Sequence, residues 1–509
     1  MRTGFSSSET SRHEWKAIEN MPEQTTNESD VLSRFFEPES VAVIGSFKEG
    51  FFGGHVIVKS LLNAGYGGRV HPINPAYGEV LGLKAHAAIG EVEDRVDLAM
   101  IMVNARTVSS VLEECAGKGV RAAIVISDGF AERDREGARL QQEMVSLANR
   151  RGIRIIGPNT AGIANTVNGF NPCPYEAGYY RLKQGPVTVA SQTGMTNPQA
   201  FPYPSLGYGT SKICDFGNKC DLDESDLLEY LETDTQTGVI SMYLESIRDG
   251  RRFLCVARRV ASRKPVMILK AGRTPRGAGA SASHTGSLAV DDRIFEAACR
   301  QTGILRLDGW NELFEIPKIF ATQPLPAGSR LGVVSYTGGM GVLAMDQCAG
   351  HGLEVTKLTP ETCVRLNGLF QGLGKMPVDI GPMAPAVDDF FSLYPKILQQ
   401  VLSDDNVDML FNILWADPAG MGTDVYPDAY ERFLRDKGVP LATWIYGPDP
   451  GAIGDLTQRL EDLGYPVFSS PELCVKALGM AARFSEIRRR GGGGPPGSLR
   501  GGEQSHEHG

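Results

Sequence analysis

The sequence contains no apolar run long enough to cross a bilayer. Its strongest stretches, Leu98 to Val103 and Ala122 to Ile126, are only of strand length. No C-x-x-C pair or close metal-type spacing occurs among its nine cysteines, which argues against a disulfide framework and for reduced thiols. Basic residues are in deficit, 51 against 60 acidic ones, and the net charge of −9 argues against nucleic acid as the main partner. A small anion held in a local basic or amide-lined pocket stays open. The first 30 residues are polar and of mixed charge, without the apolar centre of a signal peptide. Together these absences predict a soluble cytoplasmic protein.

What is present is a repeating α/β pattern. Hydrophobic residues make up 42% of the 509-residue chain, and this length predicts about three domains, each able to bury a core. Residues 1–30 and the glycine-rich 488–509 read as disordered tails, with His506 and His508 solvated in the second. Between them short apolar strands alternate with helical patterns, which predicts parallel sheets covered by helices on both faces. A first unit, residues 31–165, opens with Ser40-Val41-Ala42-Val43-Ile44-Gly45 and continues with strands near 69–73, 97–103, 120–126 and 153–156. Its first helix is expected to open from Ser46 to Gly54 and reach about Asn63. A second unit spans 185–323 and a third 330–487, with a Pro/Gly linker at 324–328. These two resemble each other: Val189-Ala190-Ser191-Gln192-Thr193-Gly194-Met195 matches Val333-Val334-Ser335-Tyr336-Thr337-Gly338-Gly339 in residue type and in placement after a first strand. The match predicts a duplicated unit.

The turn after the first strand, from Gly45 through Gly53, is glycine-rich and leads into a helix, where free amides and the helix dipole favour phosphate. It is not G-x-G-x-x-G, because Phe47 stands where the second glycine belongs. A bound NAD would also want an acid at the end of the second strand, where the chain has Asn74-Pro75. The turn therefore reads as a nucleotide type not made for NAD, against the plainer reading of a turn that serves packing alone.

Three features of the second unit follow predicted strands. Ser191-Gln192-Thr193-Gly194 precedes a helical segment near Asn197, Glu245 ends the strand 239–244, and His284 lies in the small-residue stretch 278–289 after 266–270. That stretch reads as a loop. In an open parallel sheet the carboxyl ends of the strands share one edge, so the three can meet there. The combination suits a histidine nucleophile that takes a phosphoryl group, with Glu245 fixing its tautomer. The turn would offer amides and hydroxyls to the phosphoryl oxygens, and the helix behind it a dipole. The competing readings are an ordinary mobile surface loop at 278–289 and a Glu245 paired with Arg248.

Together these residues resemble the α subunit of NDP-forming acyl-CoA synthetases, the ADP-forming acetate–CoA ligase type related to succinyl-CoA synthetase. The resemblance spans about residues 31–487. It is carried by Ser40–Gly45, Ile73-Asn74-Pro75, Ile155-Ile156-Gly157-Pro158-Asn159 and Ser191–Gly194, and above all by Tyr243-Leu244-Glu245-Ser246-Ile247-Arg248-Asp249-Gly250-Arg251 with Ser283-His284-Thr285-Gly286. It implies a Rossmann-like CoA-binding domain followed by two flavodoxin-like domains of the succinyl-CoA synthetase type. His284 would be transiently phosphorylated and Glu245 would orient it. Ser191, Gln192, Thr193 and Gly194 would bind phosphate. Gly45, Ser46, Phe47, Lys48, Gly53, Asn74, Pro75 and Asn159 would contact CoA. The reaction implied runs through an acyl phosphate and phospho-His284, on a small-residue loop that swings to ADP.

Departures from the family pattern mark a divergent member. Gly45-Ser46-Phe47 stands for Gly-Ala-Ser, Gly157-Pro158-Asn159-Thr160 for Gly-Pro-Asn-Cys, Thr193 for a serine, and Met376-Pro377-Val378-Asp379 for Asn-Pro-Val-Asp. They suggest an acid other than acetate. No ATP-grasp domain follows the third unit, so ATP or ADP with Mg2+ is expected on a separate β subunit of a heteromer. The competing functions are a non-catalytic CoA-binding regulatory or scaffold protein and an NAD-linked oxidoreductase. The first is disfavoured by the presence of both Glu245 and His284, the second by the missing fingerprint and acid.

Overall fold

The computed structural model describes residues 28–175, 182–198, 200–285, 291–383, 386–387, 390–420, 424–433 and 438–490, and of residues 28–30, 204, 282–285 and 390 the backbone alone. Almost all of both sequence-predicted tails lies outside the described residues, although a helix, Glu28–Phe36, begins just inside the first.

Strands β1 (Ser40–Gly45), β2 (Arg69–Ile73), β3 (Leu98–Met102), β4 (Ala122–Val125) and β5 (Arg154–Ile156) form a five-stranded sheet in the order β2-β1-β3-β4-β5, with every neighbouring pair parallel. Side chains alternate across a strand, and both alternating sets are apolar here. Val41 and Val43 pack with Ile57, Val58 and Leu61 of the helix Gly54–Ala64. Ala42 and Ile44 pack with Val108 and Leu112 of the helix Ala105–Lys118 and Met144 of the helix Arg135–Arg151. Burial on both faces is what makes such strands read as unbroken apolar runs. The first helix starts at Gly54, so residues 46–52 are loop rather than its opening turns.

The second sheet contains β6 (Ile163–Asn165), β7 (Gln184–Ser191), β8 (Thr210–Asp215), β9 (Val239–Leu244), β10 (Val266–Lys270) and β11 (Leu305–Leu307), in the order β11-β10-β9-β7-β8-β6. Strand β6 is antiparallel to β8. Residues 163–165 thus carry the end of the first unit into the second sheet. The segment 218–222 runs beside β5, with Asn218 N donating to Pro158 O (2.9 Å), Cys220 N to Gly157 O (3.1 Å) and Leu222 N to Ile155 O (3.2 Å). At Gly217, φ is +55° and a Cβ would stand 2.2 Å from Pro158 O, so only glycine lets the two backbones approach this closely. One hydrophobic core runs from the first sheet into the second.

The third sheet has β12 (Arg330–Ser335), β13 (Glu354–Val355), β14 (Val378–Asp379), β15 (Met409–Trp415), β16 (Leu441–Tyr446) and β17 (Val467–Phe468), in the order β13-β12-β15-β16-β17 with β14 beside β12. The helix Pro471–Arg490 packs Cys474, Ala477, Leu478 and Ala481 into a core shared with the second sheet. The duplication is repeated in hydrogen bonds. Ser191 Oγ donates to Thr193 O and Ser335 Oγ to Thr337 O, each at 2.6 Å, and each hydroxyl accepts from the amide of that threonine at 3.3 and 3.0 Å.

Candidate active site

In the first sheet β1 leads to β2 on one side and β3 stands on the other, so the order reverses between β1 and β3, where open α/β sheets bind ligands. Gly45 closes β1 there, and a Cβ on it would stand 2.5 Å from Met102 O at the end of β3. Asn74 Nδ2 donates to Gly45 O (2.8 Å), and its Oδ1 accepts from Ala76 N (2.8 Å). The side chain that stands where an NAD site would place an acid thus ties the ends of β1 and β2 together. Ser46 accepts through its carbonyl from Gly54 N (3.1 Å) and through its hydroxyl from Lys48 N (3.4 Å). The Phe47 ring is buried against Tyr77. Lys48 and Pro75 are exposed.

Beside this cluster lies a cavity of about 630 Å³. From the first domain it is lined by Met102–Arg106, Ile126–Gly129 and Asn159–Ala161; from the second, by Gln192–Gly194, Asp215, Gly217 and Asn218. Phe52 and Tyr175 form one wall, with ring centroids 4.8 Å apart, and Gly53 N donates to Pro174 O (3.0 Å) behind them. Of the CoA-contact residues predicted from sequence, Asn159 lines this cavity; Gly45, Ser46, Phe47, Lys48, Gly53, Asn74 and Pro75 do not. Sequence reasoning missed residues 102–106 and 126–129. The available signal was their position, just past the carboxyl ends of two apolar strands, with Asn104 capping the next helix through Arg106 N (3.1 Å).

Two of the four residues of the predicted phosphate turn have their side chains engaged elsewhere. Ser191 is fully buried, its hydroxyl taken by Thr193 O and by Thr196 Oγ1 (2.5 Å). Gln192 turns back under the strand-end loop of Glu245, accepting through Oε1 from Glu245 N (2.8 Å) and Ser246 N (3.0 Å). Thr193 and Gly194 present the turn to the cavity. The helix expected behind the turn is a 3-10 turn of three residues, Gly194–Thr196, so no long helix dipole backs it.

Glu245 is buried just past β9. Tyr243 Oη donates to its Oε1 (3.2 Å) and Ser281 Oγ to its Oε2 (3.4 Å). Burial, reinforced by this carboxylate, holds the Tyr243 phenol protonated well beyond its ordinary range. Arg248, the alternative partner, gives its guanidinium to the carbonyl oxygen of Asp221.

The stretch read as a loop at 278–289 is helical through Thr285, within an eleven-residue helix, Pro275–Thr285. Thr274 starts it by accepting from Gly277 N at its Oγ1 (3.1 Å), and proline occupies the first position, where its missing N–H costs nothing. Alanines at 278, 280 and 282 then favour helix, so the smallness of these residues is compatible with order. His284 stands three residues after Ser281 on this helix, hence on the same face. Its side chain, and residues 286–289 of the predicted loop, lie outside the described residues.

A CoA-binding switch point beside a strand-end acid and a histidine-bearing helix defines a class of acyl-CoA-forming enzymes, and the comparisons agree. A profile described as CoA binding domain matches residues 39–166, and one described as succinyl-CoA ligase like flavodoxin domain matches residues 184–320. The α subunit of the ADP-forming acetate–CoA ligase II of Pyrococcus furiosus is 36% identical, the match covering 91% of this chain and 99% of that one. The corresponding α subunit of ligase I is 33% identical over 90% of this chain and 99% of that one. A solved structure of a Ca. Korarchaeum cryptofilum dinucleotide forming acetyl-coenzyme A synthetase 1, in complex with phosphate and ADP, superposes with a TM-score of 0.80 at 32% identity, covering 90% of this chain and 97% of that chain. The chain belongs to the family of α subunits of ADP-forming acid–CoA ligases.

Proposed function

We propose that His284 is the phosphoryl carrier of this ligase, that Glu245 orients it, and that the 630 Å³ cavity receives the reactive end of CoA. The observation that carries the reading is the approach of Ser281 to the Glu245 carboxylate, one helical turn from His284, beside a cavity that both domains line. In the direction of acyl-CoA synthesis, a ring nitrogen of His284 attacks the γ-phosphorus of ATP, and the P–O bond to ADP breaks. An oxygen of the substrate carboxylate then takes the phosphoryl group from nitrogen and forms an acyl phosphate. The CoA thiolate attacks the acyl carbon, the C–O bond to phosphate breaks, and acyl-CoA and phosphate leave. A carboxylate beside the imidazole stabilises the tautomer that keeps one nitrogen free to attack. Thr193 and Gly194 face the space where the phosphoryl oxygens would pass.

ATP and its Mg2+ belong on a separate ATP-grasp subunit in this reading. Support comes from the near-complete coverage of two relatives that are each named as the α subunit of a ligase. The substrate is a small carboxylic acid. All nine cysteines are free thiols, which suits the cytoplasm, and no helix among the described residues is long and apolar enough to cross a membrane.

The test is co-expression with a candidate ATP-grasp subunit and incubation with [γ-32P]ATP. Acid-labile, base-stable label on this chain that is lost in His284→Ala is expected. An active partner with no label here overturns the reading in favour of a CoA-binding scaffold.

A further inference from the structure

Between the cavity and the loop of Glu245 runs the segment from Asp215 to Glu224, and its two sides face different domains. On one side Gly217 and Asn218 line the cavity, and Asn218 Nδ2 donates to Glu132 and to Gln141 Oε1 (3.0 Å) of the first domain. On the other side Lys219 is buried, at 5% exposure, with φ +57°, a conformation unusual outside glycine. Its ammonium lies 2.6 Å from Glu224 Oε2, in an ion pair with both side chains almost wholly buried. It also donates to Ser246 O (2.7 Å) and to Gln192 Oε1 (3.3 Å).

These contacts converge on the turn that follows β9. Gln192 Oε1 receives Glu245 N and Ser246 N, and Glu224 Oε1 receives Arg248 N (3.1 Å). Four backbone groups of the turn thus end on Lys219, Gln192 and Glu224, and one ammonium links all three side chains. Lysine is donor only, so its contact with Gln192 also fixes which end of that amide faces the turn. Nothing in this arrangement serves β9 itself, whose backbone is already paired with β7 and β10.

We propose that Lys219 is a positioning residue for phosphoryl transfer: through Gln192, Glu224 and the Ser246 carbonyl it sets where the Glu245 carboxylate stands against the helix of His284, and ties that position to the wall of the cavity. The inference rests on the reading that Glu245 and His284 carry the phosphoryl step.

The test separates positioning from simple support of the fold. Lys219→Met alone leaves Glu224 as an unpaired buried charge and destabilises the chain. The double variant K219M/E224Q removes both charges and keeps an acceptor for Arg248 N. It is expected to melt near the wild-type temperature, to bind CoA unchanged by calorimetry, and to keep its KM for ATP with the ATP-grasp partner. The phosphorylation kcat is expected to fall roughly 10- to 100-fold, as displaced catalytic groups do. Amide exchange at Glu245, Ser246 and Arg248 is expected to speed up. A double variant with kcat within about twofold of wild type and unchanged protection at those amides overturns the proposal. If the wild type takes no His284-dependent label, the reading of the site fails, and the exchange data still decide whether Lys219 holds the turn.

Discussion

Ser281 Oγ stands 3.4 Å from Oε2 of Glu245, and His284 follows Ser281 by three residues on the same helix. A strand-end acid of the second sheet and a histidine 39 positions later in the chain are thereby held at one edge. The contact is long for a hydroxyl–carboxylate bond, so it contributes little stability, about 1 kcal/mol at most. Ser281→Ala should leave the melting temperature nearly unchanged and lower phosphorylation only a few-fold. Glu245→Gln keeps the size and one acceptor, turns the other end into a donor that a hydroxyl can accept, and loses the charge that favours the productive imidazole. It should lower the rate of His284 labelling about 10²- to 10⁴-fold, with folding intact. Rapid-quench labelling with [γ-32P]ATP beside thermal unfolding of each variant checks both. Equal losses for the serine and glutamate variants would contradict the assignment.

How much of this was legible in the sequence differs element by element. Strands β1, β3, β4, β9 and β10 are buried on both faces, and the chain wrote them as apolar runs within two residues of their observed limits. Strand β6 has three residues and its pairing is antiparallel, so it left no such run. The helix of His284 was hidden because the polar and small residues 275–285 carry no apolar stripe, and periodicity is what reveals a helix. Its start was nonetheless written in Thr274-Pro275. That Gln192 and Glu245 meet was legible because strand ends share an edge. The direction in which Gln192 points was not, since a glutamine after a strand serves a ligand and a neighbouring backbone equally well until Glu245 N and Ser246 N are seen at 2.8 and 3.0 Å.

Asp223 caps the helix Glu224–Thr233 by accepting from Ser225 N (2.8 Å) and Asp226 N (3.3 Å), but it does so in a crowd of carboxylates. Burial, then the charges of Glu224 and Asp226, push its acid up to about 6. A carboxyl whose pKa is raised in the folded state binds its proton more tightly there than in the unfolded chain. Its contribution is therefore fully present below about pH 4 and is lost as pH rises through 6. Asn caps as well as Asp and carries no charge. Asp223→Asn should raise the melting temperature above pH 6, by a stabilisation of about 1 kcal/mol or more, and the difference should vanish near pH 4. Thermal unfolding of both proteins from pH 4 to 8 measures it. A variant destabilised across the whole range would show the charge to be useful.

The second and third domains are pinned by Lys318, whose ammonium reaches Glu461 Oε1 and Val467 O, each at 2.8 Å. A Cβ on Gly207 would stand 2.4 Å from the Glu461 carboxyl carbon, so a residue without a side chain is needed there to seat this buried carboxylate. Lys318→Met should leave it buried and unpaired and cost about 3–5 kcal/mol, whereas K318M/E461Q should recover most of the loss. Urea unfolding of the three proteins tests this, and equal stability of the single and double variants would refute it.

The wall made by Phe52 and Tyr175 allows the two halves of the proposed reaction to be tested separately. Phe52 lines the cavity, is 42% exposed, and its ring centroid lies 4.8 Å from that of Tyr175. A ligand that enters the cavity covers this ring, and an aromatic contact of this kind is worth about 0.5–1.5 kcal/mol. Phe52→Ala should therefore weaken CoA binding roughly 2- to 12-fold by calorimetry. Labelling of His284 from ATP needs no CoA, so it should proceed at the wild-type rate. The overall ligase reaction should then show a raised KM for CoA with kcat nearly kept. Loss of labelling together with CoA affinity would mean that the loop of Phe52 supports the junction of the two domains rather than the ligand.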